Sequence, residues 1–306
     1  MCMNFIRKVL LMVLAAALLA SAACAATAPK IVCTNFPAYD FARAVSGSAE
    51  IELLIKPGME VHSYEPTPAD ILKIAGCDLF IYTGGESDAW VNDILASFGG
   101  DAPATLRFFD FIECSEEAHD HNHEHGEGHV HAYDEHIWTS PTNAIAMVEA
   151  LADALGEVAP ENEAVYSENA AAYAGEIAQL RDEFRAAVEN ASRREMVFAD
   201  RFPFLYFVEE FGLGYTAAFP SCAAESEPSA KTLAMLIEKV RAAQLPVVYV
   251  LEMSSGRTAK TVSEETGAQI LTFHSVQNVS EEEFTSGETY VSLMQKNLEA
   301  LKEGIS

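Results

Sequence analysis

Basic residues are scarce in this 306-residue sequence: 19 lysines and arginines stand against 46 aspartates and glutamates, which gives a formal net charge of −27. A surface this acidic repels phosphate backbones and anionic lipid. The composition therefore excludes nucleic acid as a partner. It suits a protein that attracts cations.

Cysteines are also few. Six occur, and none of them forms a C-x-x-C pair, so the sequence has no zinc motif of that kind. We expect the four that lie beyond the N-terminal signal to be mostly buried small side chains or to form a single disulfide, and these are Cys33, Cys77, Cys114 and Cys222. The H-E-x-x-H motif of zinc hydrolases is missing as well.

Residues 1–26 have the composition of a secretory signal. A short basic start precedes an apolar run over residues 9–20 and then a group of small residues, and the run is too short for a membrane span. Cleavage at the A-x-A pattern around Cys24 and lipidation of Cys24 both stay open, because Ser21 stands where a lipidation motif usually has leucine. We expect an extracytoplasmic protein, in the periplasm or on the outer face of the cell membrane, and lipidation of Cys24 is the one route by which we expect membrane contact.

Short apolar and β-branched runs alternate with segments of helical spacing in both halves of the chain. The runs are residues 30–34, 50–55, 78–83 and 105–110, then 195–200, 215–219, 246–252 and 269–274. Repeated strand-helix units favour parallel strands with right-handed crossovers. The sequence therefore predicts an α/β fold with two parallel-sheet (βα)4 lobes, one over residues 29–159 and one over residues 193–306.

A segment rich in alanine and glutamate separates the two halves. Its apolar side chains step by three or four residues, which places them on one face of a helix; they are Tyr173, Ile177, Leu180, Phe184 and Val188. We predict one long rigid helix over residues 160–190 that joins the lobes. Two shorter helices broken near Gly175 are the alternative.

Seven of the nine histidines lie between residues 119 and 136. Six of them alternate with acids without any apolar period, which predicts a mobile loop over residues 115–133 that binds metal with low affinity; these are His119, His121, His123, His125, His129 and His131. A solvated polar insertion is the alternative. His136 differs, because Ile137 and Trp138 can pack beside it and Ser140 can cap a helix that begins at Pro141.

The two remaining histidines, His62 and His274, each follow or close a predicted strand. Ligands of parallel sheets bind beyond the carboxyl ends of the strands. One lobe would bring His62 and His136 to this edge, and the other lobe would bring His274. A lone histidine at a strand end is more often structural, but three on one predicted edge favour a shared metal ion.

Several segments resemble the zinc and manganese solute-binding proteins of bacterial ABC importers, the ZnuA-like group of cluster A-I. They are HSYEPTPADI, DEHIWTSPTNA, FADRFPFLYFVEEFGL and EPSAKTLAMLIEKV, followed by VVYVLE and ETGAQIL. The resemblance covers nearly the whole chain after the signal, and a histidine-rich loop before the second segment is typical of zinc-binding members. It implies two α/β lobes joined by a long helix, a metal ion in the cleft between them, delivery to a membrane permease and no catalysed reaction.

The family's metal ligands carry over only in part. His62 and His136 match the first two ligand positions. The third position holds Arg201, whose protonated guanidinium offers no lone pair, and the residue aligned with the fourth position is His274. We therefore expect a site made of His62, His136 and His274, completed by water, chloride or one nearby group.

Asp200, beside the third position, and Cys222, in a loop that the resemblance places near the cleft, are candidates for that fourth ligand. Three neutral imidazoles favour zinc, whereas manganese prefers more carboxylate oxygen. Asp134, Glu65 and Tyr64 are candidates for orienting the ligating rings.

The predicted protein is a monomeric solute-binding protein that captures a divalent metal ion, zinc before manganese, and delivers it to an ABC permease. Arg201 would pair with Glu225 or Glu227 instead of binding the ion. A secreted zinc hydrolase is one alternative, since three histidines and an open position also describe a catalytic site. No acid is obviously placed to deprotonate metal-bound water, so we expect no enzyme. A metal buffer or adhesin that acts through the histidine-rich loop alone is the other alternative.

Overall fold

The computed structural model describes residues 28–47, 49–113, 115, 133–220 and 227–306. The predicted signal with Cys24, the six loop histidines, Cys114, Cys222 and Glu225 lie outside the described residues. No helix in the described part of the chain combines the length and apolar character that a membrane crossing requires.

Two four-stranded parallel sheets carry the fold, one in each half of the chain. Their strand orders, β2-β1-β3-β4 and β6-β5-β7-β8, describe the same topology twice. The strands are β1 (Lys30–Cys33), β2 (Glu50–Leu53), β3 (Leu79–Tyr82), β4 (Ala104–Arg107), β5 (Glu195–Phe198), β6 (Gly214–Ala217), β7 (Val247–Val250) and β8 (Gln269–Thr272). Each strand overlaps its predicted run, so the predicted α/β fold with two parallel-sheet lobes is confirmed.

Helices follow the strands in both halves. The described residues form α1 (Phe36–Ser46), α2 (Pro68–Ala75), α3 (Trp90–Phe98), α4 (Pro141–Val158), α5 (Glu163–Glu189), α6 (Leu205–Phe211), α7 (Ala230–Ala243), α8 (Arg257–Thr266), α9 (Glu281–Ser286) and α10 (Tyr290–Ile305). The 27 residues of α5 pass through Gly175 without a break, and at 1.5 Å per residue they span about 40 Å. The single joining helix is therefore confirmed, and the alternative of two shorter helices is wrong.

The central strands are buried on both faces. Every residue of β3 and β7 is buried, because helices cover both sides of a parallel sheet, and such strands read as continuous apolar runs. The apolar face of α5 packs against its neighbours as its spacing predicts, with Phe184 in ring contact with Phe207 of α6 at 5.1 Å. Cys33 and Cys77 are buried free thiols, as expected for small buried side chains.

A buried carboxylate joins the first lobe, the long helix and the second lobe. Asp40 of α1 accepts hydrogen bonds from the Tyr173 hydroxyl of α5 at 2.5 Å and from the Tyr290 N–H at the start of α10 at 2.8 Å. Arg43 donates a third bond at 3.1 Å. Burial raises the pKa of Asp40, although these donors act in the opposite direction.

We expect Asp40→Ala to lower the free energy of unfolding by about 1–3 kcal/mol, because a buried donor at Tyr290 and a partly buried donor at Tyr173 lose their acceptor. Urea unfolding measures this loss as a lower midpoint with an unchanged slope. Asp153→Ala is the matched control, since Asp153 is exposed on α4 and surface changes cost within about 0.5 kcal/mol. Equal losses in the two variants would contradict the proposed role of Asp40.

Candidate metal centre

His136 is held in a fixed orientation by the segment that precedes α4. Ser140 caps this helix by accepting the N–H of Asn143 at 3.1 Å, as predicted. His136 is fully buried, and its Nδ1 lies 2.9 Å from Oδ1 of Asp134, which also accepts the His136 N–H at 2.8 Å. The carboxylate assigns the ring proton to Nδ1 and leaves the lone pair on Nε2 for a metal ion.

His62 lies in the loop after β2 and is held in a similar way. Its Nδ1 lies 2.9 Å from Oε1 of Glu135 and 2.9 Å from the Ser87 hydroxyl oxygen. Glu135 is fixed in turn by the N–H of Ser87 at 3.0 Å and by the Ser87 hydroxyl. This arrangement favours a proton on Nδ1 of His62, so that Nε2 can bind a metal ion.

His62, Glu135 and His136 form the one group of three potential metal ligands found among the described residues. Their donor atoms lie within 4.8 Å of one another, and the two imidazole centroids are 5.5 Å apart. Zinc accepts imidazole and carboxylate ligands. Because the Glu135 carboxylate contacts Nδ1 of His62, it lies on the far side of that ring from an ion at Nε2. In this arrangement the two imidazoles can bind the ion, Glu135 orients His62, and two tetrahedral positions stay open. The arrangement can bind a divalent cation.

The sequence analysis did not identify Glu135, which stands between Asp134 and His136. The one sequence feature that could have identified Glu135 was its position immediately before His136, a histidine that was expected to be rigidly held. Gly85 makes room for it, because a Cβ there would lie 2.3 Å from Oε2 of Glu135. Burial alone would raise the pKa of Glu135, but the hydrogen bond with His62 and the neighbouring His136 lower it to about 2. The side chain is therefore an anion at neutral pH.

His274 is not part of this group. Its Nδ1 accepts the N–H of Val276 at 2.9 Å, and its Nε2 lies 3.5 Å from Oε1 of Glu283. A neutral imidazole whose Nδ1 accepts a hydrogen bond carries its proton on Nε2, which then has no lone pair for an ion. The predicted arrangement of His62, His136 and His274 around one ion is therefore not found in this structure.

Burial alone would lower the pKa of His274, but the charges of Glu252 and Glu283 raise it. Val276, next to this ring, has a φ of 62°, in the left-handed region that favours glycine. The bond to His274 helps to hold this strained turn. The structure thus gives His274 a structural role, at the edge where sequence reasoning placed a ligand.

The other candidate residues are found in three kinds of position. Asp200 lines the cleft, where its oxygens accept the N–H groups of Arg201 at 2.9 Å and Leu251 at 3.4 Å. Tyr64 packs against Trp90, with ring centroids 5.8 Å apart. Glu65 is exposed. Of the three residues expected to orient the rings, Asp134 contacts His136, whereas the carboxylate at His62 is that of Glu135, which was not among them.

The predicted partners of Arg201 need correction. Arg201 lies 3.6 Å from Glu60 of the first lobe. Glu227 pairs with Arg257 at 3.0 Å, so its predicted pairing with Arg201 is wrong, and Glu225 lies outside the described residues. The sequence feature that could have predicted Glu60 as a partner of Arg201 was its position two residues before His62.

The candidate metal centre opens on a cavity of about 270 Å³ between the lobes. Hydrogen bonds join the lobes around this cavity: Nε1 of Trp138 donates to the Ser275 carbonyl at 2.8 Å, and Nδ2 of Asn278 donates to the Met59 carbonyl at 2.8 Å. The Gly58 N–H adds a bond to the Val279 carbonyl at 2.8 Å. The cleft is thus bordered by direct bonds from one lobe to the other.

A protein-family model described as ZnuA, the periplasmic component A of a zinc-uptake complex, matches residues 31–304 of this chain. The chain belongs to the ZnuA family. The high-affinity zinc uptake system protein ZnuA of Bacillus subtilis is 32% identical over 310 residues, which cover 96% of this chain and 97% of that protein. The zinc-binding lipoprotein AdcA of Streptococcus pneumoniae is 32% identical over 280 residues, which cover 89% of this chain.

This ZnuA-family chain spans about half the length of the curated relatives it matches first, 55% in the case of AdcA. The crystal structure of the Zn(II)-bound ZnuA-like domain of Streptococcus pneumoniae AdcA superposes with a TM-score of 0.77 at 30% identity, covering 91% of this chain and 99% of that chain. The metal-dependent lipoprotein YcdH of Bacillus subtilis gives a TM-score of 0.79 at 28% identity, with coverage of 91% and 100%.

Gly85→Ala should weaken binding of a divalent metal ion by about 10- to 100-fold, the range typical when a residue that supports a metal ligand is disturbed. The added methyl group would push Glu135 away from His62 and Ser87. Competition with a chromophoric chelator measures the affinity, and thermal unfolding shows whether the variant folds.

Gly100→Ala is the control, because a Cβ at Gly100 meets nothing within 4 Å. If Gly85→Ala bound zinc as tightly as Gly100→Ala, the position of Glu135 would be irrelevant to metal binding.

Glu283→Gln should reduce the loss of stability in acid. The neighbouring His274 imidazole, assisted by the Ser280 donors, lowers the pKa of Glu283 from 4.5 to about 2. Because this folded-state pKa is depressed, the carboxylate stabilises the fold above pH 4.5, and this contribution is lost as the pH falls towards 2. Urea midpoints of the wild type should fall more steeply over that window than those of the variant.

Glu282→Gln, exposed on the same helix, should keep the wild-type pH profile. Identical profiles for Glu283→Gln and the wild type would refute the contribution of Glu283.

Proposed function

We propose that this ZnuA-family chain is an extracytoplasmic solute-binding protein that captures zinc and passes it to an ABC permease. The observation that supports this most directly is the group of His62, Glu135 and His136, with donor atoms within 4.8 Å of one another, in which the two histidines line a cavity between two lobes. Relatives named for zinc binding and zinc uptake support the choice of cargo.

The ligands favour zinc over manganese. Both are imidazoles, and nitrogen ligands suit zinc, whereas manganese prefers carboxylate and water oxygen. Each of the two rings has a carboxylate at Nδ1, which makes Nε2 a better donor to a borderline metal.

A receptor of this kind must also release its ion. His62 and His136 belong to the first lobe, and the second lobe borders the cavity through Asp200, Arg201 and the turn at 275–278. The long helix and the bonds across the cleft restrict the lobes to small relative motions. We propose that docking to the permease disturbs this border and thereby opens the site.

We propose further that the chain catalyses no reaction. Solute binding is the activity of the family to which it belongs. A hydrolase would need a base free to take a proton from metal-bound water. Glu252 borders the cavity, but both of its oxygens accept bonds from Ser275, and Asp134 is engaged by His136. The monomeric state, the lipid anchor at Cys24 and the lobe boundaries at residues 159 and 193 stay predictions.

His62→Ala and His136→Ala should each weaken zinc binding by at least about 100-fold, more than the loss of a group that only orients a ligand. Zinc should bind the wild type at one tight site per chain, as measured by competition with a chelator of known affinity. His274→Ala, provided that it folds, should keep tight binding, because that ring faces Glu283.

Deletion of residues 119–131 is a second control and should leave the tight site intact. Loss of the tight site on this deletion would favour a metal buffer that acts through the loop. Loss in His274→Ala together with retention in His62→Ala would contradict the proposed ligand group.

A further inference from the structure

Arg201 is a cationic side chain beside a proposed cation site. It lines the same cavity as His62 and His136, and its side chain is 31% exposed. Among the described residues its one acidic partner is Glu60, at 3.6 Å, which is longer than a hydrogen bond. A guanidinium has five N–H donors in a planar fork. The fork of Arg201 therefore retains donors for a further partner in the cavity.

The cavity is also larger than a metal ion requires. It measures about 270 Å³, whereas a single water needs only about 10–15 Å³. Zinc held by the imidazoles of His62 and His136 keeps two open positions in a tetrahedral complex. The cavity has room for a small molecule at the open zinc position nearer Arg201.

The charges around the cavity make the binding of an anion depend on the metal ion. Zinc bound to neutral His62 and His136 brings two positive charges and the guanidinium of Arg201 a third, which together balance the three carboxylates that line the cavity, Glu60, Asp200 and Glu252. Without zinc the same side chains have an excess of two negative charges, which repels an anion. A carboxylate can contact both the ion and Arg201, because guanidinium forks match the geometry of carboxylates.

The acids around the cavity already accept hydrogen bonds from the protein. Asp200 accepts from the N–H groups of Arg201 and Leu251, Glu252 accepts from Ser275, and Glu60 accepts from the His62 N–H at 3.4 Å. Their negative charge disfavours a free anion in the empty cavity. The anion should consequently bind only when the metal ion is present.

We propose that the site binds zinc together with a small carboxylate ligand, one end of which occupies the open zinc position while the other pairs with Arg201. This inference rests on the proposed function. It specifies that the cargo of the protein is a zinc–carboxylate complex and not the bare ion. Arg201 is then a specificity-determining residue for the anionic part of the cargo.

Equilibrium dialysis with radiolabelled malonate, a small dicarboxylate, tests this inference on the wild-type protein. Zinc-loaded protein should retain one malonate per chain, at least about tenfold more tightly than metal-free protein, because charge-assisted bonds to the guanidinium and the zinc bond are both required. Equimolar unlabelled phosphate should not displace the malonate. Displacement by phosphate would overturn the assignment to carboxylates.

Arg201→Gln should still bind one zinc per chain but retain malonate at least about tenfold more weakly, and Arg201→Lys, which keeps the charge without the fork, should be intermediate. Arg257→Gln is the matched control, since Arg257 is an exposed arginine of the same lobe with one acidic partner, and it should behave as the wild type. Thermal unfolding confirms that each variant folds.

The outcomes separate the two proposals. A wild-type protein that binds no zinc would overturn the proposed function. Zinc binding without malonate retention, or malonate retention that is equal in wild type and Arg201→Gln, would overturn only the zinc–carboxylate inference.

Discussion

The hydrogen bond between Asp134 and Nδ1 of His136 is the interaction on which the candidate metal centre depends. A fully buried imidazole can present either nitrogen, and this bond decides that Nε2 carries the lone pair. The second lobe helps to place Asp134, because the Tyr206 hydroxyl donates to the Asp134 main-chain carbonyl at 2.9 Å. Contact between the lobes therefore supports the geometry around His136.

Other residues around the cleft also fix the orientation of a histidine ring through a hydrogen bond at Nδ1. Glu135 contacts Nδ1 of His62 as Asp134 contacts Nδ1 of His136, so each ring has its own carboxylate. Gly85 allows this close approach because it has no side chain. In the second lobe, Nδ1 of His274 is an acceptor and not a donor. It accepts the N–H of Val276 and so holds the turn at that residue. Two histidines thus have a carboxylate at Nδ1, as our proposed ligands require, and the third accepts a backbone N–H at that atom.

Sequence patterns predicted the fold better than the site. The strands and the long helix follow from apolar spacing, which is a local property, and Ser140 begins α4 because capping is local as well. The tautomer of His274 is set by a backbone N–H in a strained turn, and no residue pattern reports that. Glu135 was overlooked because its role depends on Ser87, which is 48 positions away in the chain. The partner of Arg201 was missed for a similar reason, since Glu60 belongs to the other lobe.

The bonds that join the lobes at the rim of the cleft have a kinetic consequence. Trp138, Asn278 and Gly58 each contribute a bond from one lobe to the other, and any motion of the lobes that widens the cleft must break several of these bonds together. Release of an ion through such a motion is therefore an activated event. A protein with this property holds its ion until an external event opens the cleft. It differs in this from a metal buffer, which exchanges ions freely with the solution.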